Sequence, residues 1–206
     1  MILVGGLTFG AIALSLQTNG SLPQTDVSLE NAIHVMALHS SPFLRSAMIV
    51  GFYVGEHIIA VIGIVLALYF LHKRFWPEFS MVVIAWVGEG ALWLFLSTYF
   101  NRARPSFDVP VWHVMTVPTF PSGHSIAAVM CFGFLTYLLL PRMPSRFWKG
   151  AVVVTAVSII LYIGFSRIFV GDHYLTDVLA GYALGLAWFG LVFTTIEFIT
   201  QKRKKE

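Results

Sequence analysis

Charge is what this chain has least of. Only 11% of its 206 residues are Asp, Glu, Lys or Arg, against roughly 25% in an ordinary soluble domain. Hydrophobic residues make up 57%, and the mean hydropathy is +0.79. So little charge excludes an ordinary water-soluble domain, and apolar stretches of bilayer length point to an all-α integral membrane protein. Cysteine is almost absent too. Cys131 stands alone in an apolar run, which excludes an intramolecular disulfide framework and a thiolate metal site. No metal-ligand cluster stands out, and there is no internal repeat, low-complexity segment or break between domains. Residues 1–206 are therefore expected to form one membrane domain. The basic stretch and small-residue cleavage signal of a secretory leader are also missing, so the short apolar run 2–16 is expected to be a short or tilted span.

Five further spans are expected, over residues 46–71, 79–100, 122–140, 150–169 and 174–199, making six. Between the first two lies the polar segment 17–45. Its Val27, Leu29, Ile33, Val35, Met36 and Leu38, near Asp26 and Glu30, predict an amphipathic helix on the membrane surface. The net charge of +3 does not mark a nucleic-acid binder, because the basic residues follow the loops. Lys73, Arg74, Arg142, Arg146, Lys149, Lys202, Arg203, Lys204 and Lys205 all fall on one side of a six-span layout. The positive-inside rule makes that side cytoplasmic. Arg45, Arg102, Arg104 and Arg167 break the rule, so each calls for its own explanation.

Three of those four belong to a pattern on the opposite, outer face. Pro121-Ser122-Gly123-His124 opens the fourth span. Ser122 is a natural N-cap, and the first-turn amides behind it favour an anion, above all a phosphate. Gly123 lets the backbone approach that anion, and His124 exchanges protons near neutral pH. Arg102 and Arg104 leave the third span, Arg167 ends the fifth, and His173 and Asp177 open the sixth. His173 and Asp177 are four apart, hence on one helix face, so the carboxylate can orient the imidazole. Arginines suit a phosphate because their planar fork holds two oxygens at once.

These residues resemble the type 2 phosphatidic acid phosphatases, the membrane lipid phosphate phosphatases. The family's Pro-Ser-Gly-His signature stands intact at 121–124, and Ser-Arg-x5-His-x3-Asp runs intact from Ser166 to Asp177. The first signature, Lys-x6-Arg-Pro, keeps Arg104-Pro105 but has Ser97 at its lysine position. The resemblance implies that His173 attacks phosphorus to form a phosphohistidine, held by Asp177, while His124 protonates the leaving oxygen. It gives the phosphoryl oxygens to Arg104, Arg167, Ser122 and Gly123, and it implies no metal or cofactor. Arg102, two residues before Arg104, either replaces the missing lysine or leaves activity reduced.

The implied partners are the bilayer and a lipid phosphate, met on the outer side of a plasma (inner) membrane. Phosphatidylglycerol phosphate or phosphatidic acid comes first and undecaprenyl diphosphate second. A lipid phosphotransferase and a non-catalytic lipid binder are the other readings. Glu56, His57 and Glu89 are ionisable residues inside spans, and a polar cluster beneath the pocket is expected of them. His34, His39, His72 and His113 are expected at interfaces or in loops, and Asp108 and Asp172 in water, with tuning of the adjacent His173 the alternative for Asp172.

Overall fold

The computed structural model describes residues 1–18, 21–112 and 116–203, without the side chains of Glu56, Thr200 and Arg203. The described chain is all helical: α1 (Ile2–Gln17), α2 (Ser21–Leu38), α3 (Pro42–Tyr53), a π turn (Val54–Ile58), α4 (Ile59–Lys73), α5 (Trp76–Phe100), α6 (Gly123–Leu139), α7 (Arg146–Phe169) and α8 (Leu175–Arg203). Among these residues four segments are long and apolar enough to cross a membrane: Trp76–Phe100, Gly123–Arg142, Arg146–Phe169 and Leu175–Ile199. They correspond to the last four expected spans. The expected second span lies within α3 and α4, whose backbone stays right-handed through the π turn between them. The first is α1, which passes the same test only jointly with α2, bent from it by 91°.

The apolar core lies where α4, α5, α6 and α8 meet, around Phe70, Met81, Ile126, Met130, Phe134 and Val192. Many large hydrophobics point outward instead, among them Leu94, Phe95, Val154, Leu161 and Phe198. Such an apolar exterior fits a chain whose solvent is lipid.

The contact that matters most for the site joins α6 to α8. A Cβ on Gly181 would lie 2.6 Å from the Ser122 carbonyl oxygen and 2.7 Å from the Ser125 Cβ. One turn on, a Cβ on Gly185 would lie 2.9 Å from the Val129 Cβ. This small-residue stripe lets two helix backbones touch. It brings the amino-terminal ends of α6 and α8 together, and the Ser122 amide donates to the Asp177 carbonyl at 3.0 Å.

Helix α2 departs from expectation. Its buried stripe is the polar one, Asp26, Glu30 and His34 with Ala37, while Val27, Val35 and Met36 are exposed. The spacing of four puts the polar groups on one face, and that face packs inward on α7 and α8. The carboxylates turn in because there are partners to meet. Asp26 takes Arg102 and Thr176, and His34 stacks on Phe107 with ring centroids 3.7 Å apart. Arg45, one of the four outlying basic residues, donates to the Leu38 and Ser40 carbonyls and so caps the end of α2.

Candidate active site

Ser122 caps α6 as its sequence predicts, its hydroxyl accepting from the Ser125 amide at 3.4 Å. It also accepts from the Ser125 hydroxyl and has no exposed surface. Gly123 and His124, by contrast, line a cavity of about 340 Å³. His173 shares that cavity, and the two imidazole centroids are 6.5 Å apart with ring planes at 66°. Two rings from the starts of different helices thus share one cavity.

Around His173 the structure adds a residue the sequence did not announce. The direct distance from His173 Nδ1 to Asp177 Oδ2 is 3.7 Å, too long for a hydrogen bond. The Thr119 hydroxyl fills the gap, 2.8 Å from Nδ1 and 2.7 Å from the carboxylate oxygen. A hydroxyl has one proton, and an ionised carboxylate only accepts, so Thr119 donates to Asp177 and accepts from Nδ1–H. That fixes the tautomer and leaves the lone pair on Nε2. Asp177 also accepts from the Tyr174 amide at 2.9 Å and from Arg102 Nη1 at 2.5 Å.

Arg102 therefore does not reach into the cavity in place of a lysine. Its guanidinium lies at the start of α8, bonded to Asp177, to Thr176 at 2.9 Å and to Asp26 at 2.8 Å, with Tyr174 stacked 4.2 Å away. Burial works against its charge, yet Asp177 and Asp26 more than offset this and raise the guanidinium above its ordinary value. Short polar contacts to two acids won over a longer reach to the pocket. Ser97 supplies no substitute either: it is buried, and its hydroxyl donates to its own helix at the Leu94 carbonyl.

The other two arginines do converge. Arg104 lines the cavity and donates to the carbonyls of Val117 at 2.6 Å and Asp172 at 2.8 Å. Arg167 is fully buried, stacks 3.8 Å over Phe52 and donates to the Phe52 carbonyl at 2.7 Å. The π turn beside Phe52 makes this possible. A Cβ on Gly55 would come within 3.0 Å of Arg167 Nη2 and 2.9 Å of Ile163. Asp172, expected in water, is wholly buried between these cations: Arg104 Nη1 lies 2.6 Å from Oδ1 and Arg167 Nη1 3.7 Å from Oδ2.

From the imidazoles the cavity follows α5 past Trp93 to Glu89 and Trp86, walled by Gly55 and Ile59 opposite. Of the expected polar cluster, Glu89 faces this cavity, while His57 is exposed and packs near Tyr53. The side chain of Glu56 and the whole of His113 lie outside the described residues.

A family model described as the PAP2 superfamily matches residues 81–201. The chain is 30% identical over 203 residues to phosphatidylglycerophosphatase B of Bacillus subtilis, covering 97% of this chain and 96% of that protein. It is 32% identical over 148 residues to a lipid A 1-phosphatase of Rhizobium johnstonii, covering 63% and 55%. A crystal structure of a transmembrane PAP2-type phosphatidylglycerolphosphate phosphatase from Bacillus subtilis superposes with a TM-score of 0.79 at 28% identity, covering 96% of each chain. Aquifex aeolicus LpxE shares the fold, with a TM-score of 0.64 at 19% identity over 82% of this chain and 95% of that one.

Proposed function

Because the chain belongs to the PAP2 superfamily and is a membrane lipid phosphatase of that family, we propose that it removes the terminal phosphate of a phosphomonoester lipid through a phosphohistidine at His173. The preferred substrate is phosphatidylglycerol phosphate, with phosphatidic acid beside it, on the outer side of the plasma membrane. The one-sided distribution of nine basic residues supports that sidedness. The names of the Bacillus relatives support the substrate. A lipid with an apolar body and one phosphate end also suits a cavity that is mostly apolar below its two imidazoles.

The observation that carries the mechanism is the pair of imidazoles 6.5 Å apart, with Nδ1 of His173 committed to Thr119. A phosphoryl group between the rings brings phosphorus to about 3 Å from Nε2, a near-attack distance. The Nε2 lone pair forms the N–P bond as the P–O bond to the lipid breaks, and His124 gives its proton to the departing oxygen. Water then attacks the phosphohistidine, His124 takes a proton from it, the N–P bond breaks and inorganic phosphate leaves. Arg104 and Arg167 face the equatorial oxygens, and Gly123 presents a first-turn amide. This is electrostatic stabilisation of the kind that carries most phosphoryl transfer.

Phosphate release from purified phosphatidylglycerol phosphate, phosphatidic acid and undecaprenyl diphosphate tests the proposal. The first two are expected to turn over fastest, and acid-labile, alkali-stable label from a radioactive substrate is expected on the wild-type chain and not on His173→Asn. Undecaprenyl diphosphate as the best substrate would overturn the assignment of the lipid. Label passed to an added alcohol in preference to water would make the enzyme a transferase. Binding without either reaction would make it a lipid binder.

A further inference from the structure

The cavity that holds the two imidazoles carries one carboxyl that the phosphoryl transfer leaves unused. Arg104, His124 and His173 stand at its phosphate end, and from there it runs down α5 to Glu89. The residues that share this deeper stretch with Glu89 are aliphatic, aromatic or glycine. Trp86, Glu89 and Trp93 are spaced by three and four, so they lie on one face of the helix, and all three line the cavity. Among the described residues the Glu89 carboxyl makes no hydrogen bond or ion pair. An ionisable group inside a span is costly without a partner. The partner that the chain does not give Glu89 has to come from whatever fills the cavity.

The height of Glu89 fits one part of a substrate. A Cβ on Gly123 would lie 3.0 Å from Cδ1 and Nε1 of Trp93, so the Trp93 indole marks the level at which α6 begins. Glu89, four residues earlier, lies about 6 Å deeper at ~1.5 Å per residue. A phosphoryl group gripped between the imidazoles sends its ester oxygen down this wall. The carbon that bears the leaving oxygen and the carbon next to it are then the groups that pass Glu89. There is room for them, because a Cβ on Gly90 would meet nothing within 4 Å.

We infer that Glu89 is a specificity-determining residue that reads a free hydroxyl on the leaving group, on the carbon next to the one that carries the phosphate. The inference rests on the catalytic reading above and names which monoesters that site favours. A phosphoglycerol head group has this hydroxyl. In phosphatidic acid the same position carries an acyl ester, which has no proton to donate. A carboxyl keeps an acceptor oxygen whether or not it is ionised, so the contact does not depend on the proton of Glu89. A monoester with the hydroxyl gives Glu89 the donor it lacks, and one without it leaves a buried acceptor unpaired. That asymmetry is what makes a polar site selective. Glu89 forms no bond to phosphorus and moves no proton in either chemical step, and the hydroxyl leaves intact on the product alcohol.

The test is phosphate release by the full chain in detergent from three short-chain lipids. They are phosphatidylglycerol phosphate, its analogue with 1,3-propanediol in place of the head-group glycerol, and phosphatidic acid. The first two differ by one hydroxyl. Wild-type kcat/KM is expected to be about tenfold lower for the analogue, the scale of one buried hydrogen bond. Glu89→Leu removes the acceptor, keeps the bulk and is expected to bring the two lipids together. Glu89→Gln keeps an acceptor oxygen and is expected to keep most of the ratio. Phosphatidic acid is expected to follow the analogue in all three proteins. A wild-type protein that hydrolyses parent and analogue equally well overturns the inference. So does a Glu89→Leu protein that keeps the wild-type ratio, whatever its rate, since the carboxyl would then serve only the fold or the chemistry. If Glu89→Leu does not fold, the ratio is read on Glu89→Ala, and failure of both to fold also overturns the inference. The catalytic reading is scored separately. It fails if the wild-type protein releases phosphate from none of the three lipids, whereas release from all three without discrimination defeats only the role of Glu89.

Discussion

Thr119 separates His173 from Asp177: its hydroxyl lies 2.8 Å from the imidazole Nδ1 and 2.7 Å from the carboxylate oxygen. The His173 imidazole is oriented through a neutral hydroxyl, with the Asp177 carboxylate one bond further back. Replacing that hydroxyl by a methyl group leaves both Nδ1–H and Asp177 short of a partner. A hydrogen bond to a charged group is worth about 2 kcal/mol, or some 30-fold in rate. Thr119→Val is therefore expected to lower kcat by ~10–100-fold with little change in KM, and Thr119→Ser to restore most of it. Steady-state phosphate release from a lipid monoester reads both. A Val variant with wild-type kcat would mean that Asp177 acts on His173 directly.

Arg102 is bonded to Asp177 and Asp26 and does not line the cavity, so its removal is expected to look different from the loss of a phosphate ligand. Arg102→Ala leaves buried Asp26 and Asp177 facing each other without a cation, which costs about 3 kcal/mol of stability. In the fraction that folds, kcat falls and KM stays near wild type. Asp26→Asn removes one of the two acids and is expected to give a milder form of the same result. Thermal melts with kcat and KM check both, and a rise in KM alone would place Arg102 on the substrate.

The π turn holds Arg167 at close quarters. A methyl group at position 55 comes within 3.0 Å of Nη2 and 2.9 Å of Ile163, so something has to give. Gly55→Ala is expected to displace the guanidinium and lower kcat/KM by about tenfold, mainly through KM. Kinetics on a short-chain lipid phosphate test this without interference from tail packing.

Gly181→Ala drives a methyl group to 2.6 Å from the Ser122 carbonyl. Overpacking of this kind costs about 1–3 kcal/mol, and here it also parts the two helices that carry His124 and Asp177. Stability and kcat are expected to fall together. Gly10→Ala on α1 meets nothing within 4 Å and is expected to be neutral or slightly stabilising, Ala being the better helix former. Thermal midpoints and phosphate release on the two variants make the comparison.

The sequence was most informative where function depends on spacing along one helix or on a helix start. Ser122 as a cap, Gly123 and His124 behind it, and His173 with Asp177 are local patterns, and the structure keeps them on neighbouring helix ends. It was least informative where a side chain had to choose among partners distant in the chain. Nothing near Thr119 announces that its hydroxyl meets residues more than fifty positions away. Arg102 looked like a phosphate ligand because Arg104 is its neighbour, yet Asp26, some seventy-five residues earlier, competes for it. The amphipathic pattern around Asp26 was read as a helix on the membrane surface. In lipid the apolar side faces outward and the carboxylates turn in. Asp172 was expected in water because nothing next to it in the sequence shows Arg104 and Arg167 closing around it.

The backbone-to-backbone seam of α6 on α8 has a consequence for how such an enzyme diversifies. The separation of His124 and His173 is inherited from two main chains resting on each other at Gly181 and Gly185, and bulky neighbours do not set it. The cavity walls that α4 and α5 supply can then be rebuilt residue by residue while the distance between the two imidazoles stays the same.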